Sequence, residues 1–263
     1  MRRMVSALIA KRAKTIFNAE AQRTQSKRRI KIFPYLCEPL RPLRLCASAL
    51  KMVFGFFTAS ALTICRMPTT HLLYLHGFRS SPQSAKAKAM AALVAARHPD
   101  VTWWCPQLPP SPREAMALLG DGLAGWPPEA MAVIGSSLGG FYATALAERL
   151  GCKAVLLNPA VFPARDLASH IGEQTAWHDP DATFFFEPRF VEELRALEGR
   201  PLTRPENYLA IIAKGDEVLD WREMTARYAG AQIRLLEGGD HALSDFDAQL
   251  PVILDFLSLL AKV

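Results

Sequence analysis

The 263-residue chain contains no run of about 18 consecutive apolar residues, so the sequence offers no candidate for a membrane-spanning helix. Its five cysteines are an odd number and form no C-x-x-C pair, which excludes a disulfide framework and a zinc site of the usual Cys/His spacing. Half of the residues are apolar and 21% are charged, which excludes wholesale disorder. We therefore expect a globular protein with no stable membrane insertion.

Acidic residues are scarce at the start of the chain. Residues 1–66 contain 14 Lys or Arg and 2 Asp or Glu, whereas residues 67–263 contain 17 and 23. The formal net charge of +6 is therefore the sum of +12 in the first segment and −6 in the second. This difference places a boundary near Met67, and it predicts a basic N-terminal extension over 1–66 and one domain over 67–263.

Three interpretations of residues 1–66 are open. The apolar run Met52–Cys65 suits a secretory signal, but the long basic stretch before it does not. A transit peptide would be rich in Arg and poor in acid, as this segment is, although such peptides are also rich in Ser. We favour the third interpretation, a poorly ordered extension upstream of a natural start at Met67. We accordingly expect a cytoplasmic protein, with export or membrane association as the alternative if the segment targets the chain.

The basic cluster in residues 1–66 would attract phosphates, but no base-reading module accompanies it. We therefore expect no nucleic-acid partner. The sequence gives no indication of the oligomeric state.

Short apolar runs alternate with helix-length segments from Met67 onward, a pattern that predicts crossovers and a mostly parallel sheet of about six strands with helices on both faces. The predicted strands are His71–Leu75, Val101–Cys105, Met131–Gly135, Lys153–Leu157, Tyr208–Ala213 and Ile233–Leu236. The predicted helices are Ser84–Arg97, Ser111–Leu119, Leu138–Leu150 and Ser244–Leu260, with Pro251 marking a break or a first-turn position.

About fifty residues with six prolines separate Leu157 from Tyr208, which is too long for a simple crossover. Apolar residues in Arg189–Leu197 share one helical face. We expect a small helical cap over the carboxyl edge of the sheet, where open α/β sheets bind their ligands.

Gly135-Ser136-Ser137-Leu138-Gly139 matches G-x-S-x-G, the strand-to-helix turn that presents a serine nucleophile. Glycines leave room for a strained tip, and the helix amino terminus favours developing negative charge. Ser137 is the candidate nucleophile, because the positions two away from Ser136 are not glycine. A tight glycine-rich turn without chemistry is the alternative.

A serine hydroxyl needs a base that a carboxylate orients, and in this fold the order is serine, acid, histidine. His241 follows the last predicted strand and is the candidate base, although an isolated loop histidine is often a solvated surface residue. Asp216 is the first carboxylate after the preceding strand and is the candidate acid. Its rivals are Glu217 and Asp220, and Asp240 is too close to His241 along the chain.

Acyl transfer also needs donors for the oxyanion. The backbone N–H of Leu138 follows the nucleophile, and Phe78 in the loop after the first strand is the second candidate. Gly77 lets this loop bend inwards and His76 is suited to brace it. His76 as a metal ligand is the rival interpretation, but no second ligand follows at metal spacing, and we expect no metal.

The motifs YLHGFRSSPQSAKA, GSSLGGFYATALAERLG, NPAV, GDEVLDW and GGDHALSDF occur in this order. Together they resemble the small bacterial α/β-hydrolases of the YqiA-type esterase family, from Met67 to the end of the chain. The resemblance implies hydrolysis of carboxylic esters or thioesters without a cofactor. It also implies a triad of Ser137, Asp216 and His241 and oxyanion donors at Phe78 and Leu138. Members of this family begin a few residues before their first strand, which supports Met67 as the natural start.

We therefore expect a serine esterase or thioesterase, in the carboxylic ester hydrolase class, that acts on small to medium acyl groups. An acyltransferase with the same triad and a non-catalytic hydrolase-like binding protein are the alternatives. Aromatic side chains are candidates for an acyl pocket and, alternatively, for the core. Arg79, Lys86 and Lys88 suit an anionic leaving group or a solvated helix face. The candidate pocket residues are Gly77, Phe78, Phe141, Tyr142, Phe162, Trp177 and Phe184–Phe186.

Overall fold

The computed structural model describes residues 68–177, 179–199 and 201–259. The expectations for residues 1–66 lie outside these described residues. The described part contains a six-stranded, fully parallel sheet, which confirms the predicted fold class. In spatial order its strands are β2 (Thr102–Trp104), β1 (His71–Leu75), β3 (Met131–Ser136), β4 (Lys153–Leu157), β7 (Tyr208–Ala213) and β8 (Gln232–Leu236).

Helices cover both faces of this sheet, because successive side chains of a strand point to opposite sides. Leu72 and Tyr74 of β1 face one core, whereas Leu73 and Leu75 face the other. The first core is closed by α1 (Ala85–Arg97) and α7 (Phe246–Phe256). The second core is closed by α2 (Pro112–Gly122), α3 (Leu138–Leu150), α5 (Pro188–Arg195) and α6 (Trp221–Arg227).

The predicted elements agree with the structure within a few residues, apart from two differences in the helices. Pro251 lies inside α7 and neither breaks it nor stands in its first turn, so that prediction was wrong. The helix continues because Phe246, Ile253 and Leu254 bury one face, and the carbonyl of Asp247, which loses its intrahelical donor at Pro251, belongs to an exposed residue. Helix α6 was not predicted at all.

The segment between β4 and β7 forms the cap. It contains the short helix α4 (Pro163–Asp166), an antiparallel hairpin of β5 (Gly172–Ala176) and β6 (Asp179–Phe186), and α5. The predicted helical cap is thus present, and the hairpin is an addition that was not predicted. The three consecutive phenylalanines alternate as a strand requires: Phe184 and Phe186 face inward, whereas Phe185 is 60% exposed.

A buried carboxylate attaches the cap to the sheet's helices. Glu193 of α5 accepts hydrogen bonds from Ser111 Oγ at 2.7 Å and from the Arg113 backbone N–H at 3.0 Å, at the amino terminus of α2. Burial alone raises the pKa of Glu193, but these hydrogen bonds and the Arg113 charge outweigh it and hold the pKa below its ordinary value.

Candidate active site

Ser137 lies at the tip of the turn between β3 and α3, at the carboxyl edge of the sheet. Its φ of 55° and ψ of −121° belong to a sparsely populated region that costs on the order of 1–3 kcal/mol. Two backbone hydrogen bonds hold this conformation: the Ser137 N–H donates to the Leu157 carbonyl, and the Ala160 N–H donates to the Ser137 carbonyl, both at 3.0 Å. The hydroxyl is thus presented by a strained but well-supported turn.

The turn admits only glycine at the positions two residues before and two residues after Ser137. A Cβ at Gly139 would overlap the carbonyl of Leu75 in the neighbouring strand, and a Cβ at Gly135 would overlap Gly139. The G-x-S-x-G spacing is therefore a packing requirement of this turn.

Ser137, His241 and Asp216 form a chain of hydrogen bonds. His241 Nε2 lies 3.0 Å from Ser137 Oγ, and His241 Nδ1 lies 2.8 Å from Asp216 Oδ2. Asp216 Oδ1 accepts the backbone N–H groups of Val218 and Leu219, both at 2.8 Å. An ionised carboxylate can only accept hydrogen bonds, so His241 Nδ1 must donate to Asp216 and carries the imidazole hydrogen. His241 Nε2 is then left to accept the hydrogen of the Ser137 hydroxyl. The Asp216 side chain is fully buried, and that of His241 is 21% exposed.

The rival carboxylates serve other backbone groups. Glu217 accepts the His241 backbone N–H at 3.0 Å, so it holds the histidine loop without touching the ring. Asp220 caps the amino terminus of α6. Asp240 caps the turn that follows it. Only Asp216 among these four faces the imidazole.

Asn158, directly after β4, was not predicted as a site residue although it begins the NPAV motif. It is 1% exposed and has a φ of 42°. Its Nδ2 donates to the carbonyls of Asp240, at 2.9 Å, and His241, at 3.3 Å, and its Oδ1 accepts the Ala213 N–H at 2.8 Å. Asn158 therefore ties the histidine loop to the ends of β4 and β7.

Lys86 holds the same loop from the other side, because its Nζ donates to the carbonyl of Ala242. Burial lowers the pKa of Lys86, and the nearby Asp240 charge opposes that effect. This placement differs from the suggested contact with an anionic leaving group. Lys88 is exposed and lies on the solvated face of α1.

The loop after β1 approaches Ser137 closely. A Cβ at Gly77 would lie 3.1 Å from Ser137 Cβ and 3.5 Å from its Oγ, so the loop backbone passes directly beside the hydroxyl. The N–H of Phe78 belongs to this loop, and the N–H of Leu138 opens α3 without an intrahelical acceptor. Both candidate donors thus belong to backbone adjacent to Ser137.

His76 braces this loop. The Leu108 N–H donates to His76 Nε2 at 3.1 Å, and because that nitrogen accepts, Nδ1 is the donor to the Gly77 carbonyl at 3.0 Å. No group of three or more possible metal ligands occurs among the described residues. The ring of Phe78 packs edge-on against Phe184 and Phe186 of the cap hairpin.

Two cavities share the walls Phe78, Arg79 and Leu138, which adjoin Ser137. The smaller, of 340 Å³, contains Ser137 and His241 and is further lined by Leu167, His170, Trp177, Val218 and Leu219. The larger, of 670 Å³, lies beyond Phe78 under the cap hairpin and is further lined by Gly77, Leu108, Pro109, Pro110, Leu118, Tyr142 and Phe184.

Most, but not all, of the predicted pocket residues lie at these cavities. Gly77, Phe78, Tyr142 and Phe184 line the larger cavity, and Trp177 lines the smaller. The other four are corrected. Phe141 lines a separate cavity, because its position on α3 points it away from Ser137. Phe162 is 43% exposed and lines neither cavity. Phe185 is exposed, and Phe186 is packed in the core.

No helix in the described ranges is both long and apolar enough to span a bilayer.

A family model described as "Uncharacterised protein family (UPF0227)" matches residues 71–258, which is more than two thirds of the chain.

Solved structures with the same fold agree with the architecture. A protein of Agrobacterium vitis S4 described as a candidate hydrolase has a TM-score of 0.55 at 19% identity over 73% of this chain and 91% of its own. The structure described for the metagenome-derived lipolytic enzymes LipS and LipT has a TM-score of 0.52 at 18% identity over 73% and 95%. Est1E from Butyrivibrio proteoclasticus with ferulic acid bound has a TM-score of 0.54 at 14% identity over 74% and 91%. At these low identities, the structural similarity shows that the chain has the α/β-hydrolase fold.

Proposed function

Because the chain belongs to the UPF0227 family and has the α/β-hydrolase fold, we propose that it is a serine hydrolase, a carboxylesterase or thioesterase that forms an acyl-enzyme on Ser137. The observation that carries this proposal is the continuous hydrogen-bond chain from Asp216 through His241 to Ser137 at 2.8 and 3.0 Å. These distances lie within the range for proton transfer between a nucleophile, its base and an orienting carboxylate.

In the proposed reaction, Ser137 Oγ bonds to the carbonyl carbon of the substrate while its proton passes to His241 Nε2. The carbonyl π electrons move to oxygen, which the N–H groups of Phe78 and Leu138 stabilise. Asp216 stabilises the imidazolium that forms. Collapse of the tetrahedral intermediate breaks the bond to the leaving oxygen or sulfur, which takes the proton from His241. The same base then activates water, which releases the acid and restores Ser137.

The two cavities suit the two halves of a small to medium substrate. The carbonyl would lie at their shared wall, with the acyl group in one cavity and the alcohol or thiol in the other. The mostly apolar lining of the larger cavity favours a hydrocarbon portion. The fold shared with proteins described as lipolytic enzymes supports esters as the substrate class.

The test is a screen of 4-nitrophenyl esters and acyl thioesters with the wild type and Ser137→Ala. We expect a loss of about a thousandfold or more in kcat, the scale seen when a triad serine is removed. Ser136→Ala is the matched control, since it removes the neighbouring hydroxyl, and we expect it to keep activity within severalfold. Equal turnover by the wild type and Ser137→Ala would refute the proposal.

A further inference from the structure

Arg79 stands next to the candidate oxyanion donor Phe78 and lines both cavities. Among the described residues that line the larger cavity it is the one charged side chain, since His76 accepts through Nε2 and is neutral. Most of the remaining lining is apolar. A charge is attracted more strongly to a counter-charge beside such walls than in water, because the local dielectric constant is lower. Arg79 is therefore the single positive charge in a mostly apolar lining.

The guanidinium of Arg79 is held in place by the cap hairpin. Its Nε donates to the Thr175 carbonyl at 2.6 Å, and its Cζ lies 4.1 Å from the ring centroid of Trp177. The Trp177 N–H in turn donates to the Arg79 carbonyl at 2.8 Å. Because these contacts already order the side chain, a ligand would lose little conformational entropy in binding it.

In the part of the chain that the structure describes, Arg79 makes its side-chain hydrogen bond through Nε, and its two Nη groups have no protein acceptor. The carboxylate that shares the smaller cavity, Asp166, accepts from Arg165 Nε at 2.7 Å instead. Arg79 also has a φ of 59°, an uncommon conformation for a residue with a side chain. Such strained backbone positions occur disproportionately at functional sites.

We propose that Arg79 determines specificity by binding an anionic group of the substrate, a carboxylate or a phosphate, at the wall that the two cavities share. The free edge of the guanidinium presents two parallel N–H donors, which match the paired oxygens of either group. This inference rests on the proposed hydrolysis at Ser137. The anion has two possible sources, because Arg79 borders both cavities and therefore lies near the acyl half as well as the leaving group.

Two matched substrate pairs distinguish these sources. Mono-4-nitrophenyl glutarate and 4-nitrophenyl pentanoate differ in a carboxylate on the acyl half. Butanoyl-coenzyme A and the butanoyl thioester of N-acetylcysteamine differ in phosphates on the leaving group. The measurement is the ratio of kcat/KM within each pair, since Arg79 also supports the Phe78 loop and its replacement is expected to slow neutral substrates too.

We expect Arg79→Gln to lower the charged-to-neutral ratio by about tenfold or more in one pair, as loss of a hydrogen-bonded ion contact predicts. Arg79→Lys keeps the charge without the paired donors, so its ratio should be intermediate. Lys88→Gln removes the same charge from the exposed face of α1, and its ratio should match the wild type. A ratio unchanged by Arg79→Gln in both pairs would show the proposal to be wrong, while neutral turnover that depends on Ser137 would leave the proposed function intact.

Binding provides a readout that does not depend on turnover. Calorimetric titration with butanoyl-coenzyme A and with monomethyl glutarate compares the Ser137→Ala protein with the Ser137→Ala, Arg79→Gln double variant. For at least one ligand, the dissociation constant of the double variant should be about tenfold higher. If neither ligand bound, or if both bound equally well with and without the Arg79→Gln change, the inference would be overturned even if the protein hydrolysed nothing.

Discussion

Replacing Asn158 with Ala should reduce both stability and turnover, because one buried amide joins the histidine loop to the sheet. The change leaves the buried Ala213 N–H without an acceptor, at a cost of about 1–3 kcal/mol, and removes the donor to the Asp240 carbonyl, for about 1 kcal/mol. The φ of 42° suits Asn better than Ala by about 1 kcal/mol. The sum is about 4 kcal/mol, which for a domain of this size lowers Tm by about 8–16 °C.

Turnover should fall further than stability alone explains, since the Asn158 amide fixes the backbone of His241 itself. A displacement of about 1 Å in a catalytic group costs on the order of a hundredfold, so we expect kcat to fall by about 10- to 100-fold at a temperature where the variant is folded. The assays are thermal unfolding by circular dichroism and hydrolysis of a 4-nitrophenyl ester.

Asn207→Ala is the matched control for this experiment. It removes a half-buried amide that donates to the Gly151 carbonyl at 3.0 Å, at the end of α3 away from Ser137. We expect a lower Tm with kcat unchanged. An Asn158→Ala protein with the Tm and kcat of the wild type would refute the assignment of Asn158 as the anchor of the histidine loop.

Three further changes probe the site and the cap. Asp216→Asn should lower kcat of ester hydrolysis by about 10³- to 10⁴-fold, because the NH₂ of the buried amide must face either the Val218 N–H or His241 Nδ1–H, and both are donors. Asp220→Asn is the control and should keep kcat within severalfold. Gly77→Ala should lower kcat/KM by about tenfold or more with Tm nearly unchanged, since the new Cβ would lie 3.1 Å from Ser137 Cβ. Glu193→Gln should lower the free energy of unfolding at pH 7. The Glu193 carboxylate contributes its full stabilisation above its unfolded pKa near 4.5, and this stabilisation is lost as pH falls through the lowered pKa of the folded state. The free energy of unfolding in urea should therefore fall less steeply with acid in the variant than in the wild type. Equal kcat values for Asp216→Asn and Asp220→Asn would contradict the role of Asp216. A Gly77→Ala protein with the kcat/KM of the wild type would contradict the close approach of the Gly77 loop to Ser137. The same pH dependence of unfolding for Glu193→Gln and the wild type would contradict the role of the Glu193 carboxylate.

The sheet was predictable because its strands are short, fully buried apolar runs separated by helix-length segments. The bounds of β4, β7 and α3 follow directly from such runs and from the glycine that ends α3. The cap hairpin was not recognised because polar residues interrupt its alternation outside Phe184–Phe186. The continuation of α7 through Pro251 could not be predicted, because burial of one helix face outweighs the missing backbone hydrogen bond.

The meeting of Ser137, Asp216 and His241 was also predictable, because each follows a strand that ends at the same edge of the sheet. The anchoring contacts were not, because Asn158 and Lys86 act on backbone carbonyls and leave no spacing pattern in the sequence. The placement of Phe141 and Phe162 could not be inferred either, since helical rotation decides which side of α3 and α4 faces the cavities.

Covalent labelling of the wild-type protein with a fluorophosphonate, followed by mass spectrometry, tests the central claim most directly. We predict one adduct per chain, located by peptide mapping to Ser137, with labelling abolished in Ser137→Ala and greatly slowed in His241→Ala. Labelling that persists in Ser137→Ala, or an adduct confined to another residue, would contradict the account.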